Sequence, residues 1–264
     1  MLDTVSHRLT AAEQESLARD GFVLRHGVFD APECAAIAQA CEDMVAMLEA
    51  AKRDTKRPMG SYLFEAQMDY RTLVKWEPFA PDVVQGVEPF AHFSPALRDW
   101  GLDPRLVDPA KDMVGEAEVG LYTEKLNVKR ARHGGPIILH QDYPYWERSS
   151  PVAARIVTSM IFIDDADLEN GCLEVAPGSH TVGKHKQWDR EGGAGLEIDT
   201  DAFDMSRLQP LEVKAGAVVW FGAFLVHRSL PNRSDRDRRA LLYSYQPAGN
   251  PSALELSRFV GRKA

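Results

Sequence analysis

Cysteine is scarce in this chain of 264 residues: Cys34, Cys41 and Cys172 are the whole set, and no two form a C-x-x-C pair. That excludes a disulfide framework and a zinc ribbon. Basic residues are also short, with 31 Lys and Arg against 39 Asp and Glu, a net charge of -8. Nonspecific nucleic-acid binding runs on excess Lys and Arg, so no nucleic-acid partner is expected. No apolar run approaches the roughly 20 residues that span a bilayer, so no membrane partner is expected either. The opening MLDTVSHRLTAAEQ lacks an apolar h-region, which argues against a secretory leader. These absences predict a reduced, cytoplasmic protein. Repeats, low-complexity tracts and clean linkers are missing too, and a single domain over 1–264 is the expectation.

What is present begins with two helix starts. Thr10 is followed three residues later by Glu13, and Asp30 by Glu33 with Pro32 between them. Both are capping boxes, predicting a short helix that ends at Gly21 and a long one after Asp30. Ile37, Cys41, Val45 and Leu48 give the second helix one buried face. FVLRHGVF between them reads as a strand. Residues 54–118 read as loops and short helical pieces, so 1–117 is expected to be a mainly helical flank. From Glu118 the character changes to short β-branched and aromatic runs punctuated by Gly, Pro, Asn and Asp. Those runs predict a barrel core over 118–250 that closes on itself. Residues 185–207 are polar and irregular, and read either as a lid or as a solvated excursion.

PIILHQDYPYW, residues 136–146, carries the chemistry. On a strand, side chains two apart share a face, so His140 and Asp142 could reach one ion while Gln141 points oppositely. Alone, H-x-[DE] is a weak motif, since roughly one such triplet is expected by chance in this composition. A third donor is needed. His227 closes the apolar run AVVWFGAFLVH and is either a satisfied core histidine or a ligand, whereas His180 follows a Pro-Gly turn and reads as a loop residue. Two His and one carboxylate leave positions open on an octahedral ion, which suits non-haem Fe(II) and oxygen chemistry. A closed zinc site would want four protein ligands. Downstream, Ser229 and Arg238 could anchor the far end of a bidentate co-substrate, Arg through its planar fork. Strand alternation allows only one of Arg238 and Arg239 to point inward.

Several motifs in order resemble one family. The opening LTAAEQESLARDGF, LHQD at the metal motif, NGCLEVAPGSH ending at His180 and the block from KAGAVVWF to RRAL are similar to the phytanoyl-CoA dioxygenase-like (PhyH) family of Fe(II)/2-oxoglutarate-dependent oxygenases. The resemblance covers most of the chain. It implies a mainly β double-stranded β-helix, a jelly-roll or cupin-like barrel with flanking α-helices. It implies Fe(II) held by His140, Asp142 and His227, with 2-oxoglutarate as co-substrate and O2 as oxidant. Arg238 would pair with the far carboxylate of 2-oxoglutarate, helped by Ser229, with Arg238 favoured over Arg239 by its spacing from His227. Similarity of KLNVK to a strand of the ectoine hydroxylase branch adds Asn127 as a co-substrate contact and Lys125 in the pocket. Asp142 is intact where halogenating relatives carry Gly or Ala, which disfavours halogenation. YPYWERSS departs from the ectoine hydroxylase signature, which disfavours that activity.

The activity so implied is hydroxylation of an unactivated C–H bond of a small-molecule metabolite, with succinate and CO2 as co-products. Tyr143, Tyr145 and Trp146 could form an apolar or cation-binding wall, or simply pack a barrel mouth. Tyr62 and Phe64 would belong to a loop over the site. Lys125 would meet a substrate anion or sit on a solvated edge. The alternative from another class is a non-redox metal-binding isomerase or ligand-binding protein on a cupin-like barrel, against which Arg238 and Ser229 speak.

Overall fold

The computed structural model describes residues 6–52, 55–59, 61–188 and 196–254. Helix α1 (Ala11–Asp20) starts at Thr10, whose side chain and that of Glu13 form the expected reciprocal box, and stops at left-handed Gly21. Strand β1 (Phe22–Arg25) is shorter than its sequence run: the chain turns at Gly27 (φ 61°), and Val28 and Phe29 donate their N–H groups to Gly216 O instead of to a ladder. Helix α2 (Ala31–Ala50) has the Asp30–Glu33 box and buries Ile37, Cys41, Val45 and Leu48.

The next stretch departs from expectation. In place of loops and helical pieces, residues 57–88 form four antiparallel strands, β2 (Arg57–Met59), β3 (Tyr62–Gln67), β4 (Thr72–Glu77) and β5 (Ala80–Glu88). Charged residues on faces turned to solvent or to a cavity mask their period-two pattern, and Gly86 interrupts β5. The helical flank is therefore only partly helical. Helices α3 (Pro95–Trp100) and α4 (Pro104–Val114) follow.

The strand-rich remainder comprises β6 (Val119–Lys129), β7 (Ile137–His140), the single-turn α5 (Tyr143–Trp146), β8 (Val157–Phe162), β9 (Leu173–Val175), β10 (Gln209–Leu211), β11 (Val218–Gly222), β12 (His227–Ser229) and β13 (Arg238–Pro247). These and the earlier strands build two antiparallel sheets. One has nine strands in the order β1-β11-β8-β13-β6-β5-β4-β3-β2, the other four in the order β10-β9-β12-β7. The mainly β, jelly-roll-type framework is present, but the sheets face each other without a ladder closing them into a barrel.

Two layers of core explain why the central strands are apolar throughout. Ile161, Trp220, Leu241 and Tyr243 point outward under α2, α3 and α4, while Met160, Phe162, Phe221 and Ala240 point inward against Leu173 and Val175 of the small sheet. Strands buried on both faces lose the polar alternation of a surface sheet. The helix layer is tied down by buried donors: Trp220 Nε1 donates to Leu106 O at 3.1 Å and the Tyr245 hydroxyl to Gly101 O at 2.9 Å. No helix among the described residues is long and apolar enough to cross a membrane.

Candidate active site

His140 ends β7 and His227 begins β12, and the two are Cα partners across that antiparallel pair. Their rings lie 4.2 Å apart between centroids. Asp142 does not continue the strand as expected. The chain turns after His140, and Asp142 takes helical φ and ψ as the residue before α5, with Pro144 second in that turn. The turn still brings its carboxylate inward: His140 Nε2 is 3.6 Å from Asp142 Oδ1. One donor atom from each of His140, Asp142 and His227 lies within 4.8 Å of the others.

The backbone orients both imidazoles. His140 Nδ1 is 2.7 Å from Ile138 O, and His227 Nδ1 is 3.0 Å from Leu225 O. A carbonyl can only accept, so Nδ1 carries the proton in each ring and Nε2 presents its lone pair to the common point. Burial pushes His227 down to about 4, so it is a neutral donor at physiological pH. Burial alone would raise Asp142, but its basic neighbours His140, His227 and Lys125 prevail and hold it at about 2. One carboxylate and two imidazoles that turn Nε2 to a common point fit a divalent ion with open positions, and the set lacks the fourth ligand of a closed zinc site.

Residues that the sequence reading passed over hold this arrangement. Gln141 is fully buried between two of the donors. Its amide donates to Gly183 O (2.8 Å) and Phe224 O (2.7 Å), and its oxygen accepts from His185 N. Ser179 Oγ accepts from Val226 N–H at 2.9 Å, just before His227. In the same motif, His180 is no ligand. It packs on Gly21, where an added Cβ would come within 2.4 Å of His180 Nδ1. Gly171 (φ 74°) lets Leu230 O approach to 2.1 Å of where a Cβ would stand. Gly171 and Ser179 therefore serve close packing at the two ends of β12, and Gly21 serves the contact with His180. A buried polar residue flanked by two candidate ligands was the available signal for Gln141.

A cavity of about 520 Å³ opens beside the three donors. Of the residues singled out in the sequence, Tyr62, Phe64, Lys125, Asn127, Trp146, Ser229 and Arg238 line it together with His140, Asp142 and His227. Tyr62 and Phe64 come from strand β3 and not from a loop. Tyr143 does not line the cavity: helical rotation turns its ring away to stack on Phe224 at 4.4 Å, and Tyr145 takes the wall position, edge-on to His140. Arg238, the first residue of β13, is 2 % exposed. It forms no ion pair among the described residues, and its Nε lacks a hydrogen-bond partner. Arg239 faces the other way, onto Asp164 at 2.7 Å and Glu42 at 3.0 Å. Within 185–207, Ile198 and Phe203 are buried against Leu139 and Val226, and Ile198 N–H donates to Leu139 O; 189–195 lie outside the described residues. Ile198 and Phe203 thus anchor the second flank of that segment, while Lys186, Asp201 and Ser206 stay exposed. Lys75 and Glu88 also face the cavity; alternation within TLVKWE and across the paired Phe64 was the missed signal.

Two facing antiparallel sheets with a two-histidine, one-carboxylate cluster at the edge of a cavity fit the jelly-roll class of metal-dependent enzymes. The family profile of phytanoyl-CoA dioxygenase (PhyH) matches residues 17–240, and the chain belongs to this family of Fe(II)/2-oxoglutarate-dependent oxygenases. Among its relatives, methylphosphonate hydroxylase of Gimesia maris is 30% identical over 176 residues, covering 65% of this chain and 64% of that one. L-proline trans-4-hydroxylase of Streptomyces griseoviridis is 32% identical over 168 residues, covering 57% and 62%. The chain thus spans less than two thirds of the length of these relatives. Among solved structures, EctD from S. alaskensis with 2-oxoglutarate and 5-hydroxyectoine shares the fold, with a TM-score of 0.71 at 22% identity over 94% of this chain and 82% of that one.

Proposed function

We propose that this protein is a hydroxylase that acts on an unactivated C–H bond of a small-molecule metabolite, with His140, Asp142 and His227 holding Fe(II). Arg238 receives the far carboxylate of 2-oxoglutarate through its guanidinium fork, with Ser229 and Asn127 beside it. Fe(II) with bound 2-oxoglutarate supplies oxygen activation, with succinate and CO2 as co-products. The protein's part is to bind, aim and exclude water. Ile138 O and Leu225 O fix the imidazole tautomers. Tyr145 and Phe221 pack against the His140 and His227 rings, and Trp146 and Met160 add apolar surface to the same cavity. Lys125, paired with Glu88 at 3.0 Å, is fixed on the wall where a polar substrate group would meet it.

The observation that carries this reading is Arg238. A buried guanidinium without a carboxylate is costly to keep, and it lies on the same cavity as the three donors. A non-redox metal protein on this framework would need no such carboxylate anchor. The names of the relatives, a methylphosphonate hydroxylase and a proline hydroxylase, support small-molecule hydroxylation. The test is anaerobic addition of Fe(II) and 2-oxoglutarate, which should develop a visible metal-to-ligand charge-transfer band, followed by succinate measurement in air. Asp142→Ala and His227→Ala should abolish both signals. Wild-type protein that gives neither would overturn the assignment.

A further inference from the structure

The cavity wall formed by the large sheet carries two lysines, and only one has an acidic partner. Lys125 Nζ is 3.0 Å from Glu88. Lys75 also lines the cavity but forms no ion pair among the described residues. Its ammonium instead lies over the Tyr62 ring, 3.2 Å from the centroid. That ring is fixed in turn, because the Tyr62 hydroxyl accepts from Ile138 N–H at 3.1 Å on the opposite sheet. The acceptor face under Lys75 is therefore built in, and the other side of the ammonium is open to the cavity.

The strand register keeps that side open. Lys75, Gly86 and Asn127 stand in one row across β4, β5 and β6. Gly86 has no side chain to fill the lane between the lysine and the asparagine. A Cβ there would lie 2.9 Å from Leu126 O and 3.9 Å from Lys75 Cβ. The charges acting on Lys75 are those of Lys125, Glu77, Lys129 and Glu88. Glu77 is engaged by Gly135 N–H and Gln85, Glu88 by Lys125, and Lys129 donates to two backbone carbonyls. Of the other charged residues on the wall, Glu197 accepts from Ser61 Oγ and Arg228 is paired with Glu174. Burial and the like charge of Lys125 push the Lys75 ammonium well below the ordinary lysine range. An amine with a fixed aromatic support and no counter-ion, which regains its full charge when an oxyanion arrives beside it, is a receptor for an anion.

We propose that the primary substrate is a small organic anion whose carboxylate or phosphonate-type oxyanion is received by Lys75 on Tyr62, with Lys125 beside it. Its carbon skeleton then lies along Phe64, Leu73 and Ile137, with the carbon to be oxidised toward His140 and Asp142. The fate of the bound anion rests on the oxygenase reading above, whereas its binding needs no turnover.

The experiment is calorimetric titration of the anaerobic protein, saturated with Fe(II) and 2-oxoglutarate so that Arg238 is occupied. The probes are butyl to octyl carboxylates and phosphonates, with the isosteric amides and amines. The anions should bind at least tenfold more tightly than the amides, about 1.4 kcal/mol. Lys75→Met should erase that preference and Lys75→Arg should keep most of it. The order of carboxylates against phosphonates identifies the oxyanion. Amides or amines that bind wild-type protein as tightly as the anions overturn the proposal, and so does a Lys75→Met protein that retains the preference. The charge-transfer band in the same samples reports separately on the oxygenase reading.

Discussion

His140 and His227 stand opposite each other as Cα partners on adjacent antiparallel strands, each with Nδ1 bonded to the carbonyl two residues earlier in its own chain. Strand register and backbone alone therefore aim both Nε2 atoms. A slip by one residue on either strand would turn a ring out of the site, so residues that pin β12 control the proposed metal site from outside it.

Ser179 is the clearest of these. Replacing it with Ala leaves the buried Val226 N–H without its acceptor. The expected cost is about 1–3 kcal/mol of stability. Fe(II) affinity should fall by about tenfold or more, as for other residues that orient metal ligands at one remove. Thermal unfolding with a metal titration on the same preparation checks both. Lowered stability with unchanged Fe(II) affinity would show that Ser179 serves packing only.

Arg238 offers a prediction with opposite signs for stability and binding. It is 2 % exposed without an ion pair, and burial pushes it down to about 10. Arg238→Met should therefore raise the melting temperature in the absence of 2-oxoglutarate, since an apolar side chain of similar length needs no counter-ion. The same change should weaken 2-oxoglutarate binding by about 100-fold, in line with loss of one partner of a buried charge pair. Melting curves with and without 2-oxoglutarate give both numbers, and a lower melting temperature without it would contradict the first.

Acid should loosen the N-terminal corner. Hydrogen bonding to Arg25, at 2.7 Å, outweighs burial and lowers Glu13 from the ordinary 4.5 to about 2. The folded carboxyl is the stronger acid, so its contribution is complete above about 4.5 and is lost as pH falls toward 2. After allowance for solvent screening near the surface it is worth about 1–2 kcal/mol. Glu13→Gln should flatten this part of the acid limb in equilibrium unfolding across that window. A limb of unchanged slope would place the acid sensitivity elsewhere.

Legibility in the sequence followed how local each signal was. The starts of α1 and α2 were readable because a capping box spans only four residues. The metal motif was readable because its spacing survives whether or not the backbone stays extended; that Asp142 leaves the strand was hidden, since a helical turn with Pro144 second follows β7. That turn also exchanged Tyr143 for Tyr145 on the cavity wall. Strands β2 to β5 were not legible because their partners lie in the long sheet and their exposed or cavity-facing positions carry charge. The same holds for Lys75, whose setting depends on Gly86 and Tyr62 from neighbouring strands. Alternation allowed only one of Arg238 and Arg239 to point inward, and the family spacing from His227 favoured Arg238, but its lack of an ionic partner depends on tertiary neighbours.

The donors meet only where β7 and β12 pair, and the chain between them contributes β8, β9, β10 and β11 to both sheets. An ion therefore has no template to gather until those intervening strands have docked, because the loop it would have to close is long and its closure entropy falls on the unfolded chain. Fe(II) bound at the proposed donors should therefore join after the sheets have docked: refolding in the presence of a chelator should reach the same backbone at the same rate.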